Sequence, residues 1–260
     1  MQVFGISDVG KKRSLNEDNF SVDVFDGIAV ALVCDGMGGA NAGEVASRVA
    51  CKCFMSSIVP KLREIKSSIT DSAEIIIKTD RAICEASDEA NKKVYEMSCS
   101  DKSLSGMGTT LSGCIIDGDM MWTFNVGDSR VYHISGNEAK QLTVDHSFVQ
   151  ALINDGKITK EEAQTHPNRN VILRALGVSS RVECDVCHSV TQPGCYFVCS
   201  DGMSNYFDEE EFTKIISSDK PIAEKAEDFV DFANSKGGSD NITVILIDTE
   251  KQNDGGNNEH

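Results

Sequence analysis

The sequence predicts an α+β fold with antiparallel sheets, and three observations carry that expectation. Short runs rich in Val, Ile and Phe recur along the chain, bounded by Gly or Asp, as strands commonly are. Neighbouring runs are joined by hairpin-type turns, IDGDM at 116–120 and ISGNE at 134–138, which favour antiparallel pairing over long crossovers. Long helical patterns stand apart from the strand runs instead of alternating with them, the signature of segregated elements.

In chain order, strands are expected at 2–6, 21–25, 28–34, 109–116, 120–126, 130–134, 181–187, 195–199 and 242–248. Run 28–34, IAVALVC, is apolar throughout and reads as a core strand. A first helix is predicted over 43–58, where Val45, Val49 and Cys53, and Ala46, Ala50 and Phe54, recur every four residues, the spacing of one helix face. A second is predicted over 72–97. Ile76, Ile83, Ala90 and Met97 repeat at seven there with acids opposite, which suits a helix packed lengthwise on a sheet, with a coiled coil as the other reading. Shorter helices are expected at 146–154, 209–217 and 222–235. The polar, glycine-bearing end KQNDGGNNEH is expected to be disordered.

No Pro/Gly/Ser-rich linker interrupts the 260 residues, so one domain over 1–249 and a tail over 250–260 are expected. The net charge is −16, from 25 basic and 41 acidic residues, without the basic stripe a nucleic-acid binder needs. The longest clean apolar run, 28–34, is too short to span a bilayer. In the opening MQVFGISDVGKKRS the basic residues follow the apolar ones, the wrong order for a secretory signal. Ten cysteines in such a chain read as reduced thiols. The expectation is a cytoplasmic protein that binds neither nucleic acid nor membrane.

Acids cluster beside Gly or Asn at the edges of the predicted strands: NEDN at 16–19, CDGMGG at 34–39, GDSR at 127–130, SDGMS at 200–204 and SDN at 239–241. Asp and Asn favour turns, and any one of these alone says no more than that. Asp35 and Asp201, however, end runs that read as core strands, and Asp240 precedes another. If these acids meet, two carboxylates at 4 Å repel by about 4 kcal/mol at an effective dielectric of 20. Such a cluster must share protons or hold cations, and oxygen-only ligands select hard ions such as Mg²⁺ or Mn²⁺. Gly36, lacking a Cβ, lets its backbone approach an ion. Bound ions would also let an acidic protein accept an anionic ester.

The ordered set RSLNEDN (13–19), VCDGMGG (33–39), GMGTT (106–110), NVGDSR (125–130), DHSFVQALINDGKIT (145–159), HPNRNVILRALG (166–177), CSDGM (199–203) and SDNITV (239–244) closely resembles the metal-dependent protein phosphatases. This is the PPM family of type 2C serine/threonine phosphatases, in wording similar to its bacterial members. The resemblance runs from about residue 2 to residue 248.

The resemblance implies a sandwich of two antiparallel β-sheets flanked by helices, an αββα four-layer arrangement, with two Mn²⁺ or Mg²⁺ ions at one end. It implies that Asp35 bridges the ions, that Asp201 and Asp240 complete one shell and that the Gly36 carbonyl serves the other. Glu17 and Asp18 would support metal-bound waters, and Arg13 would hold the substrate phosphate, for which a forked guanidinium is suited. A metal-bridging water would attack phosphorus directly, without a phosphoenzyme. The resemblance also implies that Asp128, with Asn205, could hold a third, weaker ion, although relatives often carry an acid where Asn205 stands. Met37 stands where many eukaryotic members have a histidine that protonates the leaving oxygen. Segment 145–177 resembles the family's flap beside the active site. The implied substrates are phosphorylated proteins, including a Ser/Thr kinase, and the implied state is a monomer.

Other chemistries fit less well. Cys184-Asp-Val-Cys187-His188 matches a haem-attachment motif, but that chemistry needs export. Cys184, Cys187, Cys195 and Cys199 could suggest zinc, yet Cys199 lies in the strand leading to Asp201. Gly38 and Gly43 have P-loop spacing with Glu44 where lysine is required. No cysteine has an arginine six residues on, and no G-x-S-x-G elbow occurs. The rival functions are a silent binding relative, which would have lost the metal aspartates or Arg13, and a phosphatase for small phosphoesters.

Overall fold

The apolar run expected at 28–34 becomes β3 (Ile28–Met37), and the two sides of this strand organise the whole molecule. In the computed structural model, which describes residues 1–39 and 42–249, Val30, Leu32 and Cys34 face a helical layer while Ala31 and Val33 face a second sheet. Alternation along one strand thus feeds two cores. The tail expected to be disordered, 250–260, lies outside the described residues.

One sheet contains β2 (Asp18–Phe25), β3, β5 (Leu111–Asp117), β6 (Met120–Val126) and β9 (Asp185–Val190) in that order, with the two-residue β4 (Gly108–Thr109) also on β3. The other runs β1 (Gln2–Asp8), β11 (Ile242–Asp248), β10 (Cys195–Cys199), β7 (Arg130–Ser135) and β8 (Glu138–Gln141). Every strand pairing is antiparallel. Helices α1 (Ala42–Ser68) and α2 (Ser72–Ser100) share a core with the first sheet, and α6 (Glu209–Ser217) and α7 (Ile222–Ser235) with the second. The expected four-layer αββα sandwich is the observed one.

Helix α1 runs ten residues past its expected end and carries Pro60 inside it. A proline marks a helix boundary by local rules, but Ile58, Leu62 and Ile65 continue the buried stripe beyond it. In α2 the expected stripe is present, with Ile83 and Ala90 buried and Ile76 and Met97 packed on the same core. It lies against α1 and touches the sheet at its edge strand β9. The strand expected at 181–187 pairs only from Asp185 onward, and β8, EAKQ, has no apolar alternation to announce it. No described helix is long and apolar enough to cross a membrane.

The expected strand at 109–116 is interrupted at Thr110, between β4 and β5. The interruption sits beside Asp35. Thr110 donates its N–H to the Asp35 carbonyl (2.9 Å), and its Oγ1 accepts the Asp35 N–H (2.8 Å). A local break in pairing serves to clamp the residue at the end of β3.

Candidate metal centre

Strand parity carries four polar side chains to one end of the inter-sheet core. On β3 the residues facing the second sheet are Ala31 and Val33, so Asp35 is next on that side. On β2, Phe20 and Val22 face the same core, which puts Asp18 there, directly opposite Asp35 in the strand register. From the other sheet, Tyr196 and Val198 on β10, and Ile245 and Ile247 on β11, place Ser200 and Thr243 on the facing side. The apolar interior therefore ends in a polar cap.

Around that cap Glu17, Asp35, Asp128, Asp201 and Asp240 line one cleft of about 270 Å³, with Arg13, Gly36 and Met37 on the same walls. Five acids from five separate segments thus meet a single arginine. Gly36 could not carry a side chain: a Cβ there would overlap the carbonyls of Gly43 and Glu17. The Gly36 N–H donates to the Glu17 carbonyl (3.1 Å). Asp201 opens the short helix α5 (Asp201–Ser204) and accepts from Asn205 Nδ2 at 3.3 Å. Asp240 Oδ1 accepts the Asn241 N–H (2.9 Å) and Oδ2 accepts Arg13 Nη2 (2.8 Å). Arg13 is half-exposed at the rim.

Two of the expected residues do not line the cleft. Asp18 is buried behind the cleft wall, and Asn205 is exposed and touches the site only through Asp201. Local sequence reasoning gave no role to Asn241, which proves central. Its side chain accepts the Glu17 N–H (2.9 Å) and donates to the carbonyls of Val9 (3.0 Å) and Leu15 (2.9 Å). One amide thereby fastens the loop that carries Arg13 and Glu17. The SDN triplet was the available signal, but partners more than two hundred residues away are not legible in it.

The electrostatics are those of crowded, buried acids with too little counter-charge: Arg13 pairs with Asp240 alone. Burial pushes Asp35 well above the carboxylate range, and the charges of Asp18, Asp201, Asp128 and Asp240 push it further. Burial, then Asp201 and Asp145, raise Asp128 to about 8 against the opposing pull of Arg130. Asp18 is raised by burial to about 7, although hydroxyls of Ser200 and Thr243 favour its charged form. Asp201 is raised by burial and by Asp240, and Glu17 by burial. Metal-free, such a cluster retains protons; a divalent cation would replace them.

Segment 145–177 reaches the cleft through Asn170 and Ile172. It contains α3 (Phe148–Asn154) and α4 (Lys160–Gln164). Its base is fastened: Arg130 holds Asp145 through Nε (2.9 Å) and Nη2 (2.7 Å), and Thr109 bridges to Leu176.

The sequence profile of protein phosphatase 2C matches residues 10–243. The chain belongs to the protein phosphatase 2C family. Among 2C-type relatives it is 39% identical over 246 residues, 94% of each chain, to the serine/threonine phosphatase Stp of Listeria monocytogenes. The serine/threonine phosphatase of S. agalactiae superposes with a TM-score of 0.80 at 31% identity, covering 94% of this chain and 98% of that one. The catalytic domain of the phosphatase PstP, solved in complex with two manganese ions, superposes with a TM-score of 0.74 at 31% identity, covering 94% and 96%.

The donors on the cleft walls fit a hard cation. The wall carboxylates and the Gly36 carbonyl offer oxygens, and behind them one buried oxygen, Asp18 Oδ1, has no hydrogen-bond partner. Among the described residues no three acidic, imidazole or thiol side chains converge as a ready-made cage. The cysteine readings find no support. Cys195 and Cys199 face the α6–α7 core while Cys184 packs on the α1–α2 core, and all ten thiols are free.

Proposed function

We propose that this 2C-family chain hydrolyses phosphoserine and phosphothreonine in proteins, using the acidic cleft to hold a pair of Mn²⁺ or Mg²⁺ ions. The observation that carries this reading is the meeting of five acids with one half-exposed arginine at the end of the sandwich. In this reading the carboxylates of Asp35, Asp201 and Asp240 and the Gly36 carbonyl would hold the two ions. Glu17 and buried Asp18 would support the ions through water. When bound, the ions would lower the pKa of a coordinated water and offset charge on the phosphoryl oxygens.

The chain's own residues do the rest by placement. Thr110 pins the Asp35 backbone on both its N–H and its carbonyl side. Asn241 fixes the 9–17 loop, so Arg13 stands beside Asp240 at a defined distance from the cluster. A guanidinium in that place can take two phosphoryl oxygens. Met37, on the cleft wall, has no proton to give, and no histidine lines the cleft among the described residues. The leaving oxygen then draws its proton from solvent or from a cleft carboxyl. By the same reading residues 1–249 form one catalytic domain, a monomer in the cytoplasm whose substrates include a Ser/Thr protein kinase.

Arg13→Ala is expected to raise KM for a phosphothreonine peptide by about tenfold or more, since a charge-assisted bond contributes about 1.5–3 kcal/mol. Turnover should fall less. Steady-state kinetics check this, and an unchanged KM and kcat would remove Arg13 from phosphate binding. The substrate class is tested by comparing a phosphopeptide panel with small phosphoesters at saturating Mn²⁺. Higher kcat/KM on peptides supports the proposal; preference for a small metabolite ester would sink it.

A further inference from the structure

The polar cap contains more than metal-facing acids. Asp18 and Asp35 are two carboxylates directly opposite each other on adjacent strands, a pairing that is destabilising unless something compensates. Asp18 is buried, and no basic side chain pairs with it among the described residues. Its Oδ2 instead accepts two hydroxyls from the other sheet, Ser200 Oγ at 2.7 Å and Thr243 Oγ1 at 2.7 Å.

The donors form a directed chain. Thr243 Oγ1 spends its proton on Asp18, so Ser7 Oγ donates to Thr243 (2.7 Å) and accepts from Asn16 Nδ2 (2.8 Å). Asn16 closes the ring by accepting the Asp18 N–H (3.1 Å). Ser200 is the more telling member. It occupies the N-cap of α5, where a serine hydroxyl ordinarily accepts a helix N–H, yet it makes no capping bond. It donates to Asp18 and accepts the Thr243 N–H (3.1 Å) instead. A residue that forgoes its local role for a buried carboxylate points to a demand set elsewhere. Fold stability alone would be served as well by apolar residues replacing Asp18, Ser200 and Thr243 together.

We infer that Ser200 and Thr243 are positioning residues of the metal centre: their hydroxyls clamp Asp18 across the two sheets and so set the spacing of Asp35 from Asp201 and Asp240. Ser200 immediately precedes Asp201, Thr243 lies three residues after Asp240, and Asp18 is the register partner of Asp35. Each arm of the clamp therefore leads to one of the three acids. The inference rests on the reading of those acids as metal ligands.

Thr243→Val removes the hydroxyl at constant shape, and Thr243→Ser restores it. The test titrates Mn²⁺ into chelator-dialysed full-length protein by calorimetry, with the metal-free melting temperature measured alongside. Thr243→Val is expected to raise the Mn²⁺ dissociation constant by about 10- to 100-fold, the usual cost of losing an outer partner of a metal ligand. Thr243→Ser should stay within about threefold of the parent, because it keeps the donor. Thr243→Val also leaves the buried Asp18 carboxylate one donor short, so its metal-free melting temperature is expected to lie somewhat below that of the Ser variant. Ser200→Ala is expected to weaken Mn²⁺ in the same way and serves if Thr243→Val does not fold. Unchanged Mn²⁺ affinity in the hydroxyl-deleted variants would overturn the inference, as would an equal loss of affinity in Thr243→Ser, which keeps the donor. A parent that binds no Mn²⁺ would overturn it together with the reading it rests on.

Discussion

Asp201→Asn is expected to lower turnover on a phosphothreonine peptide by about three orders of magnitude, a loss of about 4 kcal/mol of transition-state stabilisation. The substitution keeps the shape of the side chain and its place at the start of α5. It removes a full charge from the group proposed to hold an ion together with Asp35 and Asp240. The same change should have the opposite sign on the metal-free fold. Asp201 is among the charges that hold Asp18, Asp35 and Asp128 above their ordinary range, so its removal relieves repulsion inside the cluster. The expected signature is an inactive variant whose metal-free melting temperature is equal to or above that of the parent, the trade-off typical of strained functional sites. Calorimetric melting and steady-state assays check both halves. Retained activity would take Asp201 out of the centre, and a lowered metal-free melting temperature would contradict the electrostatic account.

Gly36→Ala is expected to damage both fold and site, for a steric reason alone. The added methyl would overlap the carbonyls of Gly43, at the start of α1, and of Glu17, on the loop before β2. Both are main-chain atoms, so relief requires moving the helix or the loop rather than turning a side chain. Overpacking of this kind costs about 1–3 kcal/mol, and more where backbone must shift. For a chain of this size that lowers the melting temperature by about 2–4 °C per kcal/mol. The Gly36–Glu17 hydrogen bond would open with it, withdrawing Glu17 from the cleft. Gly39→Ala is the matched control, since a Cβ there meets nothing within 4 Å. Equal melting temperatures and equal Mn²⁺ affinity for the two variants would show that the close approach at Gly36 does not matter.

These two residues were legible in the sequence for the same reason the fold was. A run such as 28–34 is apolar enough to read as a strand, and a carboxylate followed by glycine at its end is a conspicuous departure from that pattern. The ordering of such departures pointed to the family, and the family to the four layers. What stayed hidden was whatever depends on partners remote in the chain. Asn241 reads as a turn residue until its bonds to Val9, Leu15 and Glu17 are seen. Ser200 lies in an acidic turn motif and Thr243 in a run that reads as a strand, and neither motif mentions Asp18. Thr110 lay inside what read as one unbroken strand. In α1 the buried stripe continues past Pro60, so packing outweighs the local preference of proline. Edge strands β8 and β9 were missed or misplaced because one-sided pairing leaves little apolar pattern to read.

The account is tested most directly by turnover with the metal withdrawn. The protein is dialysed against chelator and assayed on a phosphothreonine peptide in excess EDTA, then again after Mn²⁺ is supplied in excess of the chelator. The account predicts no measurable turnover in the first assay and its return in the second. Full turnover in EDTA would contradict it, because the cleft acids would then be working without the ions that their clustering requires.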